Sequence, residues 1–146
     1  MRRWHSSSVE ETRRLGAALA AELAPDGILL LTGDLGAGKT ALAQGVGQGL
    51  GIAAREIQSP SFTLIRQHEG DRGSLVHVDL YRLEPEEAAT LGLEETLWGP
   101  GVKVVEWAER LPFPVPEAVR LELRLVSPAE REIVEQPAAE LAAEAR

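Results

Sequence analysis

The stretch Leu29–Gly45, LLLTGDLGAGKTALAQG, decides the fold. It opens in an apolar run, Ile28 to Leu31, bounded on one side by Pro25-Asp26-Gly27 and on the other by a glycine-rich turn. A short segment apolar at every position suits a strand buried on both faces, as in a parallel sheet. The turn Gly33-Asp34-Leu35-Gly36-Ala37-Gly38-Lys39-Thr40 fits the phosphate-binding pattern G-x-x-x-x-G-K-[ST]. Each position has a physical reason. Backbone N–H groups can turn inward around phosphate oxygens only through dihedrals that glycine adopts without strain. The helix that follows, over Lys39 to Leu50 with Gly51 as its stop, aims unpaired N–H groups and a positive dipole end at the same anion. The Lys39 ammonium reaches the β- and γ-phosphates as a point charge, and the Thr40 hydroxyl can ligate Mg²⁺. This lysine is one of two among 146 residues that include thirteen arginines.

Working outward, Ser8-Val9-Glu10-Glu11 has the form of a capping box, and Leu15, Leu19 and Leu23 recur on one face of a helix over 9–24. Beyond the loop helix, Phe62 to Gln67 and Leu75 to Tyr81 read as strands joined by the turn-rich linker Glu69–Gly73. Glu84 to Leu97 reads as a helix with Pro85 near its start. Val102 to Glu106 is another short apolar strand, following the break Gly99-Pro100-Gly101. Val119 to Leu125 alternates strictly, which predicts an antiparallel strand wet on one face, and Arg131 to Gln136 is placed to pair with it. The Ala- and Glu-rich end, Pro137 to Arg146, reads as a short helix. The expected architecture is one three-layer α/β domain over residues 1–146, with parallel central strands and antiparallel edges.

Composition narrows the partners. The chain is 44% hydrophobic and 26% charged, ordinary for a globular protein, and it contains no cysteine, which excludes disulfides and thiolate metal sites. No apolar run approaches the roughly 18 residues that span a bilayer, and the N-terminus lacks a signal-like apolar stretch. A cytoplasmic location away from membranes is therefore expected. A net charge of −8 argues against a large footprint on nucleic acid, which needs clustered Lys and Arg. It is compatible with a local nucleotide site and with docking on a basic protein.

A triphosphate site needs a carboxylate at a neighbouring strand end for Mg²⁺ and a group to position water. Asp79 and Glu106 both close apolar strands, and spacing does not choose between them. Trp107 either shields a base or packs on the core, the commoner fate of tryptophan. His77 alternates with Val76 and Val78 and reads as a structural strand residue. Ser61 and Thr63 offer hydroxyls to a γ-phosphate, and Arg82 either stabilises transferring charge or pairs with a nearby acid.

Four segments, GDLGAGKT, SPSFTL, HVDLYRL and VEW, stand in an order and spacing that resemble the TsaE (YjeE) family, over about Ser8 to Leu111. The resemblance implies a P-loop ATPase of tRNA threonylcarbamoyladenosine synthesis that binds ATP with Mg²⁺ and hydrolyses it slowly alone. It also implies work with TsaD and TsaB, which transfer the threonylcarbamoyl group to adenosine 37, while the ATP cycle resets that pair and ADP is released. Contact with tRNA is then indirect. Carried over by motif, Lys39 and Thr40 hold phosphate and Mg²⁺, Glu106 is the second Mg²⁺ ligand, Asp79 serves turnover and Thr63 is switch-like. Thr12 and Arg131, the latter within Glu130-Arg131-Glu132, resemble positions near the nucleotide base. The nucleotide contacts so expected run from Gly33 to Ala41 and include Trp107. Ser61 and Ala41 stand where the family commonly has Thr, and Ala108 where it often has Pro. Two other readings of the loop are a small-molecule kinase, for which Glu69–Gly73 is too small a lid, and a nucleotide-gated binding module that needs no hydrolysis.

Overall fold

The computed structural model of the chain describes residues 1–58, 64–88 and 92–137. Its organising element is a seven-stranded mixed sheet. In chain order the elements are β1 (Arg3–Ser6), α1 (Val9–Leu23), β2 (Ile28–Gly33), α2 (Lys39–Gly49), β3 (Ile65–Gly70), β4 (Gly73–Asp79), α3 (Pro85–Ala88), α4 (Leu93–Leu97), β5 (Val102–Glu106), β6 (Val119–Ser127) and β7 (Glu130–Gln136). Single turns of 3₁₀ helix occupy Ala54–Glu56 and Ala108–Arg110. The strands lie side by side as β1-β7-β6-β2-β5-β4-β3. The four central strands, β6, β2, β5 and β4, run parallel, and β3, β7 and β1 are antiparallel to their neighbours.

The apolar run of β2 is buried on both sides. Leu29 and Leu31 join one core, shared with Leu19 and Leu23 of α1 and Leu42 and Val46 of α2. Ile28 and Leu30 join the other, beneath Leu93 and Leu97 of α4. Helices on both sheet faces give the expected three layers, and the fold is P-loop NTPase-like. Strand β6 differs in direction from the expectation: it is parallel to β2 and antiparallel only to β7. Its alternation reports a single buried face, carried by Leu121 and Leu123, and a wet face says nothing about strand direction.

Helix α1 begins at Ser8, whose side chain accepts from the Glu11 amide, while the Glu11 carboxylate accepts from the Ser7 amide and hydroxyl. Helices α1 and α2 touch backbone to backbone. A Cβ on Gly16 would lie 2.4 Å from the Leu42 carbonyl oxygen, and one on Gly45 2.1 Å from that of Arg13. The β3–β4 turn is tighter than the sequence suggests, since Gly70 pairs with Gly73 and only Asp71 and Arg72 connect them. Arg72 leaves that turn to donate to the Gly49 and Gln48 carbonyls, closing the C-terminal end of α2 where that helix has no basic residue of its own. The helix expected over Glu84 to Leu97 is described as two short pieces, with Gly92 at φ +67° capping the second. The putting of a strand start at Phe62 and a helix at the C-terminus falls on residues outside those described.

Candidate functional site

The carboxyl ends of β2, β4 and β5 bring the loop, Asp79 and Glu106 together. Residues of the loop, Asp79, Tyr81, Glu106 and Trp107 line a cleft of about 280 Å³. The loop is shaped by its glycines. At Gly33, φ +137°, a Cβ would stand 2.3 Å from the Leu123 carbonyl oxygen of the adjoining β6. Gly38 takes φ +104° as the N-cap of α2 and supplies no side chain to cap it. The first-turn amides of α2 are left open to an anion in the cleft. Ala37 is buried as the loop's anchor, whereas Leu35 at its tip is 71% exposed.

Lys39 is buried. Its Nζ donates to the carbonyl oxygens of Gly33 at 2.6 Å and Asp34 at 2.8 Å, and it stands 4.1 Å from the Trp107 ring centroid. Burial pushes its pKa down, opposed by the carboxylates of Glu106, Glu109, Asp34 and Asp79. Thr40 Oγ1 donates to both oxygens of Glu106, at 3.0 and 3.1 Å. Glu106 is buried at the end of β5, and His77 Nε2 lies 2.6 Å from its Oε2. Asp79 pairs in register with Glu106 on the adjacent strand, and its Oδ1 accepts from the Tyr81 amide at 2.9 Å.

Trp107 adopts φ +59°, which turns the chain sharply after Glu106. Its ring is half-buried. It packs on the second core and faces the cleft, with Tyr81 at 4.9 Å between centroids. Ala41 lines the cleft in the first turn of α2. Thr12 lies beneath the loop: its hydroxyl engages Ser6 Oγ at 2.7 Å and the Ser8 carbonyl, and its methyl is, with the Leu123 side chain, one of two neighbours a Cβ on Gly38 would meet. Arg131 stands on β7, where one guanidinium nitrogen reaches the Gly36 carbonyl at 3.2 Å and the other the carbonyls of Ser127, Pro128 and Glu130. Ser61 and Thr63 lie outside the described residues, and Arg82 is exposed.

Sequence reasoning missed two participants. His77 stands two residues before Asp79, and the strand period that placed Asp79 at a strand end places both on one face. Tyr81 follows the same alternation one step beyond the strand.

The chain matches the family model described as "Threonylcarbamoyl adenosine biosynthesis protein TsaE" over residues 6–133. It is 48% identical over 108 residues to the tRNA threonylcarbamoyladenosine biosynthesis protein TsaE of Nostoc sp., covering 71% of this chain and 66% of that protein. Identity to the TsaE protein of Bacillus subtilis is 39% over 132 residues, covering 90% and 82%. For that of Treponema pallidum it is 40% over 130 residues, covering 88% and 95%. The fold superposes on the crystal structure of Bacillus subtilis YdiB with a TM-score of 0.73 and 33% identity, over 99% of this chain and 92% of that one. By the extent of the family match and the identity to these relatives, the chain belongs to the TsaE family of tRNA threonylcarbamoyladenosine biosynthesis proteins.

Proposed function

We propose that the chain is a Mg²⁺-dependent ATPase that works as a single domain in the cytoplasm beside TsaB and TsaD, resetting them between rounds of tRNA threonylcarbamoylation. The observation that carries the reading is the contact of Thr40 with Glu106 at the open N-terminus of α2. A hydroxyl and a carboxylate are hard oxygen donors that suit Mg²⁺. Among the described residues no group of three or more His, Cys, Asp or Glu forms a cage. One or two such protein ligands suffice for Mg²⁺, which fills its other positions with phosphate and water.

The loop amides and the α2 N-terminus bind the phosphate tail. Lys39 exchanges its bonds to the Gly33 and Asp34 carbonyls for phosphate oxygens. Thr40 and Glu106 hold Mg²⁺, which supplies charge neutralisation at the phosphates when bound. Asp79, steadied by the Tyr81 amide, orients the attacking water. Trp107 and Tyr81 wall the cleft, and Ala41, Arg131 and Thr12 support the nucleotide at its rim and floor. The net charge of −8 supports contact with tRNA through protein partners.

The deciding experiment is multi-turnover modification of tRNA by TsaB and TsaD with threonylcarbamoyl-adenylate, with and without this chain. Modification is expected to stall after the first turnover without it, and with its Lys39→Ala form. Undiminished turnover in either case overturns the proposal.

A further inference from the structure

We propose that His77 is the positioning residue of Glu106, keeping that carboxylate oriented while its other hydrogen bond changes partners. The inference rests on the reading of Glu106 as a Mg²⁺ ligand. His77 lies on β4 opposite Val104 of β5, so its side chain shares a sheet face with Glu106, two residues further along. Nε2 stands 2.6 Å from Glu106 Oε2, and the two side chains are 0% and 3% exposed. A carboxylate that ligates Mg²⁺ can only accept, so on that reading Nε2 donates this bond. Among the described residues Nδ1 is buried without a partner.

The two donors to this carboxylate differ in position. Thr40 straddles both oxygens from within the cleft, where a bound cation would compete with that bond for the hydroxyl and the carboxylate. His77 is not among the cleft-lining residues, and it grips Oε2 from within the sheet. The His77 bond therefore persists when the Thr40 bond is exchanged, and it fixes the rotamer in which Glu106 presents its oxygens. Ligating carboxylates are commonly oriented by such outer partners, whose loss lowers metal affinity by about 10–100-fold.

The test is calorimetric titration of the purified chain with a non-hydrolysable ATP analogue at stepped Mg²⁺, and again in EDTA. His77→Leu is expected to raise the Mg²⁺ midpoint by roughly tenfold while leaving affinity in EDTA as in the unsubstituted protein. His77→Gln, whose amide N–H reaches the position of Nε2, is expected to restore the midpoint. His77→Asn, one bond shorter, is expected not to. Where His77→Leu fails to fold, the Gln and Asn pair carries the comparison at equal polarity. Unmoved midpoints in the Leu and Asn variants overturn the inference, and so does an equal loss of affinity with and without Mg²⁺. Glu106→Gln separates the two levels. If it leaves the midpoint unmoved, the metal reading fails and the inference with it. If Glu106→Gln moves the midpoint and His77→Leu does not, the positioning role alone is refuted.

Discussion

Lys39 already sits where an anion has to be met. Its ammonium is held by two main-chain oxygens of its own loop and by the face of Trp107, out of water. Hydrogen bonds to charged groups contribute about 1.5–3 kcal/mol each, so Lys39→Ala is expected to weaken ATP binding by roughly 10–100-fold. Calorimetry measures the loss, and an unchanged circular dichroism spectrum separates it from unfolding. The loop, Asp79 and Glu106 were legible because glycine spacing and strand ends follow backbone sterics. The role of Trp107 was only half legible. Its turn at φ +59° aims the ring at both the core and the cleft, and no local pattern announces a positive φ in a tryptophan. His77 read as a strand residue, which it is. Its bond to Glu106 depends on which strand lies alongside, and that is a property of the sheet.

The two long helices are joined by close approach of their backbones at Gly16 and Gly45. Gly45→Ala would drive a methyl to 2.1 Å from the Arg13 carbonyl oxygen, so one helix has to shift. Overpacking of this kind costs about 1–3 kcal/mol, to be read as a lower urea midpoint. Strand β1 escaped the sequence reading because four residues, Arg3-Trp4-His5-Ser6, are too few and too polar to show a period. Tertiary contacts make it a strand. It pairs with β7, and Arg2 beside it clamps Glu22 of α1 at 2.7 Å and Glu135 of β7 at 3.0 Å. Hydrogen bonding to Arg2 holds both carboxyls below their ordinary value of 4.5. Groups with depressed pKa values stabilise the fold above the unfolded value and lose that contribution as pH falls through the folded one. Because the clamp is partly exposed, Arg2→Gln is expected to cost about 1 kcal/mol or less at pH 7. The gap between the two proteins should narrow as pH falls below 4.5, measured by urea titration at each pH.

At the scale of the molecule, parallel strands converge their carboxyl ends on one edge of the sheet, and the proposed chemistry gathers there. With a net charge of −8, the isolated protein is expected to show no retention of tRNA in a gel-shift assay at physiological salt, where cationic proteins bind non-specifically at roughly 10⁻⁴–10⁻⁶ M. A discrete shifted complex would refute the indirect-contact reading. No helix among the described residues is long and apolar enough to cross a membrane. Lys39 and Lys103, the only lysines of the chain, are 4% and 1% exposed; Lys103 is sealed at the other end of β5 by the Asp26 and Gly99 carbonyls. Amine-directed dyes and surface couplings therefore find no lysine on the outside of this molecule, and forcing the reaction sacrifices the cleft. A cysteine-free background makes one introduced thiol an unambiguous handle for tethering or fluorescence.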